Sequence, residues 1–144
     1  MKILVIDGQG GRMGKAMIEQ LKRSGPLPDG VELYAIGTNS TATAAMMKAG
    51  ADFGATGENP VIVNSRDADI IAGPIGIVIA DSLLGEITPA IAMAVGSSRA
   101  FKILIPVNRC NHLIVGCREA SLSEYLQQGC REILQRVEKA KHSM

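Results

Sequence analysis

The chain opens on an apolar run, Ile3-Leu4-Val5-Ile6, that passes without a break into Asp7-Gly8-Gln9-Gly10-Gly11. A short apolar run bounded by glycines reads as a strand buried on both faces, here Lys2–Ile6, as in a parallel sheet covered by helices. Behind it Met13, Ala16, Met17 and Leu21 recur at helical spacing, while Lys15, Glu19 and Lys22 point away. That pattern predicts an amphipathic helix over Arg12–Ser24, stopped by Gly25-Pro26. Val31–Ile36 repeats the strand pattern and leads into Gly37-Thr38-Asn39-Ser40. A short Ala- and Met-rich helix over Thr41–Ala49 follows and ends at Gly50.

The middle of the chain has weaker periodicity. Gly54, Gly57, Glu58, Asn59 and Pro60 read as a loop. Val61–Asn64 and Asp69–Ala72 read as short strands, the second ending in Gly73-Pro74-Ile75-Gly76. Ile77–Ile79 fits strand or helix. Thr88-Pro89 starts a helix, with a capping hydroxyl before a proline at the first helical position. It runs to Val95 and closes at Gly96-Ser97-Ser98. Phe101–Val107 is the next strand and Leu113–Val115 a further one, with Asn108–His112 turning a hairpin between them. Ser121-Leu122-Ser123-Glu124 is a capping box that opens a long last helix, with Leu122, Leu126, Cys130, Ile133 and Val137 on one face.

Strands alternating with helices predict an α/β architecture: one Rossmann-like domain over residues 1–144, a mainly parallel sheet flanked by helices. Leu113–Val115 is the candidate antiparallel edge strand. Composition agrees, because 47% of residues are hydrophobic and only 3% aromatic, which leaves an aliphatic core. A net charge of +1 provides no basic field for nucleic acid, and no aromatics are interleaved with Lys or Arg. No apolar run reaches the ~18–20 residues that span a bilayer. The strand-like N-terminus, with Asp7 early, does not read as a secretory signal. With three cysteines, Cys110, Cys117 and Cys130, the expectation is a cytoplasmic chain with reduced thiols.

Ligands in open α/β sheets sit at the carboxyl ends of the strands, at the topological switch point. Four glycine-rich or polar loops follow the expected strands: Gly8–Gly14, Gly37–Thr41, Gly73–Gly76 and Asn108–His112. Their convergence predicts a shared site for a small-molecule ligand. Gly8, Gln9, Gly10, Gly11, Arg12, Met13 and Gly14 would hold a phosphate at a helix N-terminus, where backbone N–H groups and the helix dipole favour an anion. Thr38 and Asn39 would hydrogen-bond a ribose, and Gly73, Pro74 and Gly76 would allow close approach. The expected ligand is a nucleotide, with NAD or NADP as the specific candidate.

Gly8-x-Gly10-x-x-Met13 fails the dinucleotide fingerprint at its third position. Gly8-x-x-Gly11-Arg12-Met13-Gly14 resembles the corresponding turn of dihydrodipicolinate reductases, a family that binds NAD(P)H. That resemblance covers the first twenty or so residues. The His-His and Lys signature and the substrate domain of that family are missing, so its activity is not implied. Two features depart from the fingerprint. Asp7 puts a carboxylate beside the expected phosphate, and Gly37-Thr38-Asn39 offers neither an acid for a ribose diol nor an Arg for a 2′-phosphate. A Walker A loop fails on counting, with five residues between Gly8 and Gly14-Lys15 where four are needed. Ala16 also stands where a Mg²⁺-binding hydroxyl belongs.

A wider resemblance rests on Val5–Gly11, Gly37-Thr38-Asn39, Lys48–Asp52, Ala55–Asn59, Gly73–Gly76, Gly85–Pro89 and Asn108–Asn111. Through these segments nearly the whole chain resembles a family of short bacterial proteins described only as a domain of unknown function. That resemblance implies a Rossmann-like fold and no particular activity.

Candidate chemistry lies in two places. In Asn108-Arg109-Cys110-Asn111-His112, Arg109 is suited to clamp a phosphate or carboxylate in a planar fork. Cys110 beside that cation is a candidate nucleophile or redox sensor, against the plainer reading of a polar turn with an ordinary thiol. Glu86 is a candidate acid or base, although its place two residues before Thr88 fits a local structural role equally well. Cys110, His112 and Cys117 provide three potential zinc ligands where a structural site needs four, so no metal is expected. Cys130 belongs with the core. Two function classes stay open: an oxidoreductase-like enzyme using Arg109, Cys110 or Glu86, and a non-catalytic nucleotide sensor. A chain of this length leaves no room for a substrate domain. A second copy is the expected source of the missing wall, making a homo-oligomer, most simply a dimer.

Overall fold

The computed structural model describes residues 1–107 and 111–143. Five strands, β1 (Lys2–Asp7), β2 (Glu32–Gly37), β3 (Phe53–Thr56), β4 (Ile70–Pro74) and β5 (Phe101–Ile105), form one sheet in the order β3-β2-β1-β4-β5. Every pairing is parallel. The helices are α1 (Arg12–Arg23), α2 (Ser40–Ala49), α3 (Glu58–Ser65), α4 (Pro89–Ser97) and α5 (Leu122–His142). The sheet has the strand order of the doubly wound nucleotide-binding folds, with its switch point between β1 and β4.

The two-residue side-chain period of β1 explains the layering. Ile3 and Val5 face one side, where Met17, Ile18 and Leu21 of α1, Met46 of α2 and Ile133 of α5 close the core. Leu4 and Ile6 face the other side and meet Val61 of α3 and Ile91 and Val95 of α4. All four β1 side chains are fully buried, which is why this strand shows no polar alternation.

The expected ends hold where a cap is encoded. Thr88 accepts from the Ile91 N–H at 3.1 Å and Ser121 from the Glu124 N–H at 3.2 Å. On α5 the apolar stripe buries Leu126, Cys130, Ile133 and Val137, but Leu122 is exposed. Burial pushes the Cys130 thiol up to about 11, so it stays protonated in the core.

Three expectations need correction. The loop assigned around Gly54–Pro60 is β3 and the first turn of α3. β3 is a short, mostly exposed edge strand, so burial writes no alternation into its sequence. The strand expected at Val61–Asn64 lies within α3, where Pro60 sits in the first turn and breaks no intrahelical bond. Leu113–Val115 is not a strand, and among the described residues the sheet has no antiparallel member. Leu113 and Val115, 86% and 91% exposed, have neither a paired edge nor a buried face to hold them extended. Ile77, left open between strand and helix, lies in a short 3-10 helix over Ile75–Val78.

Ile133→Ala should cost about 2–5 kcal/mol through the cavity it leaves beneath α5. Leu122→Ala, on the same stripe but exposed, should shift stability by no more than about 0.5 kcal/mol. Urea unfolding of both variants checks whether the buried stripe begins at Leu126.

Candidate functional site

β1 ends at Asp7, paired in register with Gly37 at the end of β2. The Thr38 N–H continues that pairing by donating to the Asp7 carbonyl at 3.0 Å, which seats Thr38 against Gly8. A Cβ on Gly8 would lie 2.7 Å from the Thr38 Oγ1, so a side chain there would drive the two loops apart.

The Asp7 carboxylate turns back under the glycine turn. Its Oδ1 accepts from the Gly8 N–H at 2.8 Å and its Oδ2 from the Gly14 N–H at 2.8 Å. Gly14 is the third residue of α1, so a buried side chain from the preceding strand caps this helix from inside. Burial of Asp7 raises its pKa, and the nearby Glu86 charge adds to that. The N–H groups of Gly14, Gly8 and Met13 pull the other way without overcoming it. Part of the positive end of α1 is therefore already answered by protein.

Gly11 is required by the packing at the start of the helix. It takes a left-handed φ of 71° at the N-cap, and a Cβ there would meet the Ala42 backbone at 2.7 Å. Its absent side chain lets α1 and α2 touch. Met13 sends its side chain into the core and brings only backbone to the turn. Gly10 is exposed, a Cβ there would meet only the Arg12 side chain at an ordinary 3.9 Å, and the Gly10 and Arg12 N–H groups have no partner among the described residues.

Glu86 completes the arrangement. Its Oε1 accepts from Thr38 Oγ1 at 2.7 Å, Asn39 Nδ2 at 2.7 Å and the Gln9 N–H at 3.0 Å; its Oε2 is 3.2 Å from the same N–H. Asn39 also donates from Nδ2 to the Gln9 carbonyl at 2.9 Å and caps α2 through its Oδ1 at the Ala42 N–H. Partial burial would raise the Glu86 carboxyl, but donors from Thr38, Gln9 and Asn39 outweigh it and hold the group below the usual carboxylate range. Glu86 is thus an ionised acceptor, unsuited to donate a proton near neutral pH.

The loop that delivers Glu86 is unusual. Asp81, Leu83, Leu84 and Gly85 all have positive φ, a conformation that costs a non-glycine residue about 1–3 kcal/mol. Its ends are tied by the Asp81 N–H donating to the Ile87 carbonyl at 2.7 Å, with the Ile87 side chain fully buried. The Ser82 hydroxyl donates to the Gly76 carbonyl. Pro74 and Gly76 therefore lie at the base of this loop, Pro74 at the end of β4. Gly73 is pressed onto the Ile6 carbonyl of β1, so its lack of a side chain serves strand packing.

The structure thus brings Gly8, Gln9, Gly10, Thr38, Asn39 and Glu86 together at the carboxyl edge. Asn108, Arg109 and Cys110 lie outside the described residues, and His112 is exposed. Cys117 lies 3.6 Å from the Tyr125 hydroxyl. Among the described residues no cluster of three or more His, Cys, Asp or Glu is arranged to hold a metal, and no helix is long and apolar enough to cross a membrane. A separate cavity of about 700 Å³ lies along β5 and α5, lined by Phe101, Ile103, Tyr125 and Arg136 among others, away from the glycine turn.

The roles of two groups are not legible in the sequence. Asp7 looked like an obstacle to phosphate, yet an acid at a strand end seven residues before the third helical residue signals a cap from behind. Glu86 reads in the sequence as an acid or base, but its meeting with Thr38 and Asn39 follows only from the strand order.

A family model described as Domain of unknown function (DUF3842) matches residues 2–138. No curated protein matches the chain. Among solved structures, a dodecameric FMN-dependent UbiX-like decarboxylase from Escherichia coli O157:H7 aligns over 94% of this chain and 93% of its own, with a TM-score of 0.44 and 14% identity.

Asp7 binds its proton more tightly folded than unfolded. Its contribution to stability is therefore full below the unfolded value of 3.8 and is lost as pH rises through the folded value. Asp7→Asn removes this dependence. The stability of wild type minus that of Asp7→Asn should fall as pH rises from below 3.8 through the raised folded value, as followed by denaturant titrations across the acidic range. A flat difference would show that the carboxylate is not desolvated. Gly11→Ala should cost about 1–3 kcal/mol from backbone strain and the Ala42 contact, read as a lowered unfolding midpoint.

Proposed function

Because the chain belongs to the DUF3842 family, a domain of unknown function, we propose its role from the site alone: it binds a nucleotide at the carboxyl edge of β1 and β2. The observation that carries this is the Glu86 carboxylate, fixed by Thr38, Asn39 and the Gln9 N–H, close in sequence to Gly10 and Arg12, whose N–H groups have no partner among the described residues. An anchored carboxylate suits ribose hydroxyls, and the two N–H groups at the start of α1 suit a phosphate oxygen. With Asp7 already answering Gly8 and Gly14, the phosphate would rest on the outer turn, around Gly10 and Arg12, rather than deep against Gly14. A dinucleotide such as NAD fits this division into a ribose end and a phosphate end.

The binding is read as sensing or cofactor holding rather than proton transfer by Glu86, whose three donors keep it ionised. A catalytic part for Arg109 and Cys110 remains a separate proposal outside the described residues. Self-association belongs to the same reading. The exposed Leu113 and Val115, close together on one segment, support a homo-oligomer in which a second copy walls the site.

Native mass spectrometry of the protein with NAD(H), NADP(H), ATP and GTP in competition should retain a nucleotide adduct. Gly10→Val places a branched side chain over the exposed N–H groups, where the folded chain has room for it. It should weaken the adduct at least about tenfold, roughly 1.4 kcal/mol, with an unchanged unfolding midpoint. Unaltered affinity in Gly10→Val would remove the phosphate assignment. Sedimentation velocity should show a species larger than a monomer, and Leu113→Ser with Val115→Ser should shift it toward monomer; a monomer at every concentration would refute the assembly.

A further inference from the structure

We infer that Glu86 is the specificity-determining residue of this site, selecting ligands whose ribose carries a free diol and turning away those with a phosphate on the 2′-oxygen. The inference rests on the nucleotide reading above and names the ligand class within it.

In dinucleotide-binding α/β domains the group that reads the adenosine ribose stands at the end of the second strand. An acid there accepts from the diol; an arginine there answers a 2′-phosphate. In this chain the second strand ends in Gly37-Thr38-Asn39 and has neither. The acid arrives from the loop after β4: Glu86, 48 residues from Thr38 in sequence, lies within hydrogen-bond distance of both Thr38 and Asn39. A position that looks neutral in sequence is acidic in the folded molecule.

The two carboxylate oxygens are not equivalent. Oε1 takes three donors, while Oε2 has only the longer 3.2 Å contact to a shared N–H. Oε1 anchors the group and Oε2 keeps lone pairs for hydroxyls of a ligand. The anchor is stiff on both sides. Ile87 is buried next to it, and Leu83 sits where a Cβ on Gly8 would meet it at 3.0 Å.

Charge decides the selectivity. Among the described residues Glu86 has no ion-pair partner, and the three donors that hold it are neutral. A 2′-phosphate would place about −1.5 to −2 charges beside it and would also remove one donor hydroxyl. Repulsion and a lost hydrogen bond act in the same direction.

The test titrates the full-length protein calorimetrically with NADH and NADPH. AMP and the same compound carrying a second phosphate on its 2′-oxygen form a parallel pair. In wild type the member of each pair with a free diol should bind at least about tenfold tighter. Glu86→Gln keeps the shape and an acceptor oxygen but loses the charge, so the ratio should collapse toward one, mainly by gain of the phosphorylated member. An unfolding midpoint and circular dichroism spectrum like those of wild type establish that this variant is folded. Equal binding of both members in wild type overturns the inference and leaves nucleotide binding intact. A preference that persists undiminished in folded Glu86→Gln overturns the assignment to Glu86. Binding of none of the four compounds overturns this inference, and failure of ATP and GTP to bind as well overturns the nucleotide reading itself.

Discussion

The carboxylate of Asp7 is the constraint on which the edge depends. Two short hydrogen bonds, to Gly8 and Gly14, tie the first residue after β1 to the first turn of α1. They close the glycine turn on itself before any ligand is considered. Burying that charge is unfavourable, and the turn tolerates it because backbone N–H groups and the helix dipole surround it. Within the same turn Gly11 lies against the Ala42 backbone, where α1 meets α2. Among the described residues, the N–H groups of Gly10 and Arg12 in this turn have no partner.

What the sequence reveals follows from how burial writes itself into residue choice. β1 and β2 lie at the centre of the sheet, and their apolar runs were legible. So were α1, α4 and α5, because each has an apolar stripe or a cap built from neighbouring residues. β3 and α3 were not. An edge strand with exposed side chains is under no apolar selection, and α3 buries so little that its β-branched residues read as strand. At the site, local features were visible and long-range ones were not. The glycines, Thr38, Asn39 and Glu86 each stood out as residues. That Gly11 and Gly73 serve packing, and that Glu86 belongs with Thr38, depends on which strands are neighbours.

The edge also shows how a fold can supply one function from different loops. β2 ends without a charged side chain, yet the surface at that point is acidic because the loop after β4 reaches across the end of β1. That loop carries Leu83 and Leu84 in left-handed backbone, a conformation that leucine adopts reluctantly. Packing of Leu83 near Gly8 and burial of Ile87 oppose that cost. Its geometry and the position of Glu86 are therefore one structural fact.

The strand order carries a consequence for synthesis. β1 is made first, but its partners are β2, beginning at Glu32, and β4, beginning at Ile70. The Lys2 N–H, at the very start of the strand, donates to Asp69 across 67 residues of chain. During translation the most apolar strand must therefore wait, unpaired on one side, until β4 has emerged. Pairings so distant in sequence make folding slow and leave an aggregation-prone edge in the meantime. The candidate pocket matures later still, since Glu86 follows β4. A small molecule that binds there cannot rescue the early, vulnerable nascent chain. It can stabilise only molecules that have already brought both halves of the sheet together.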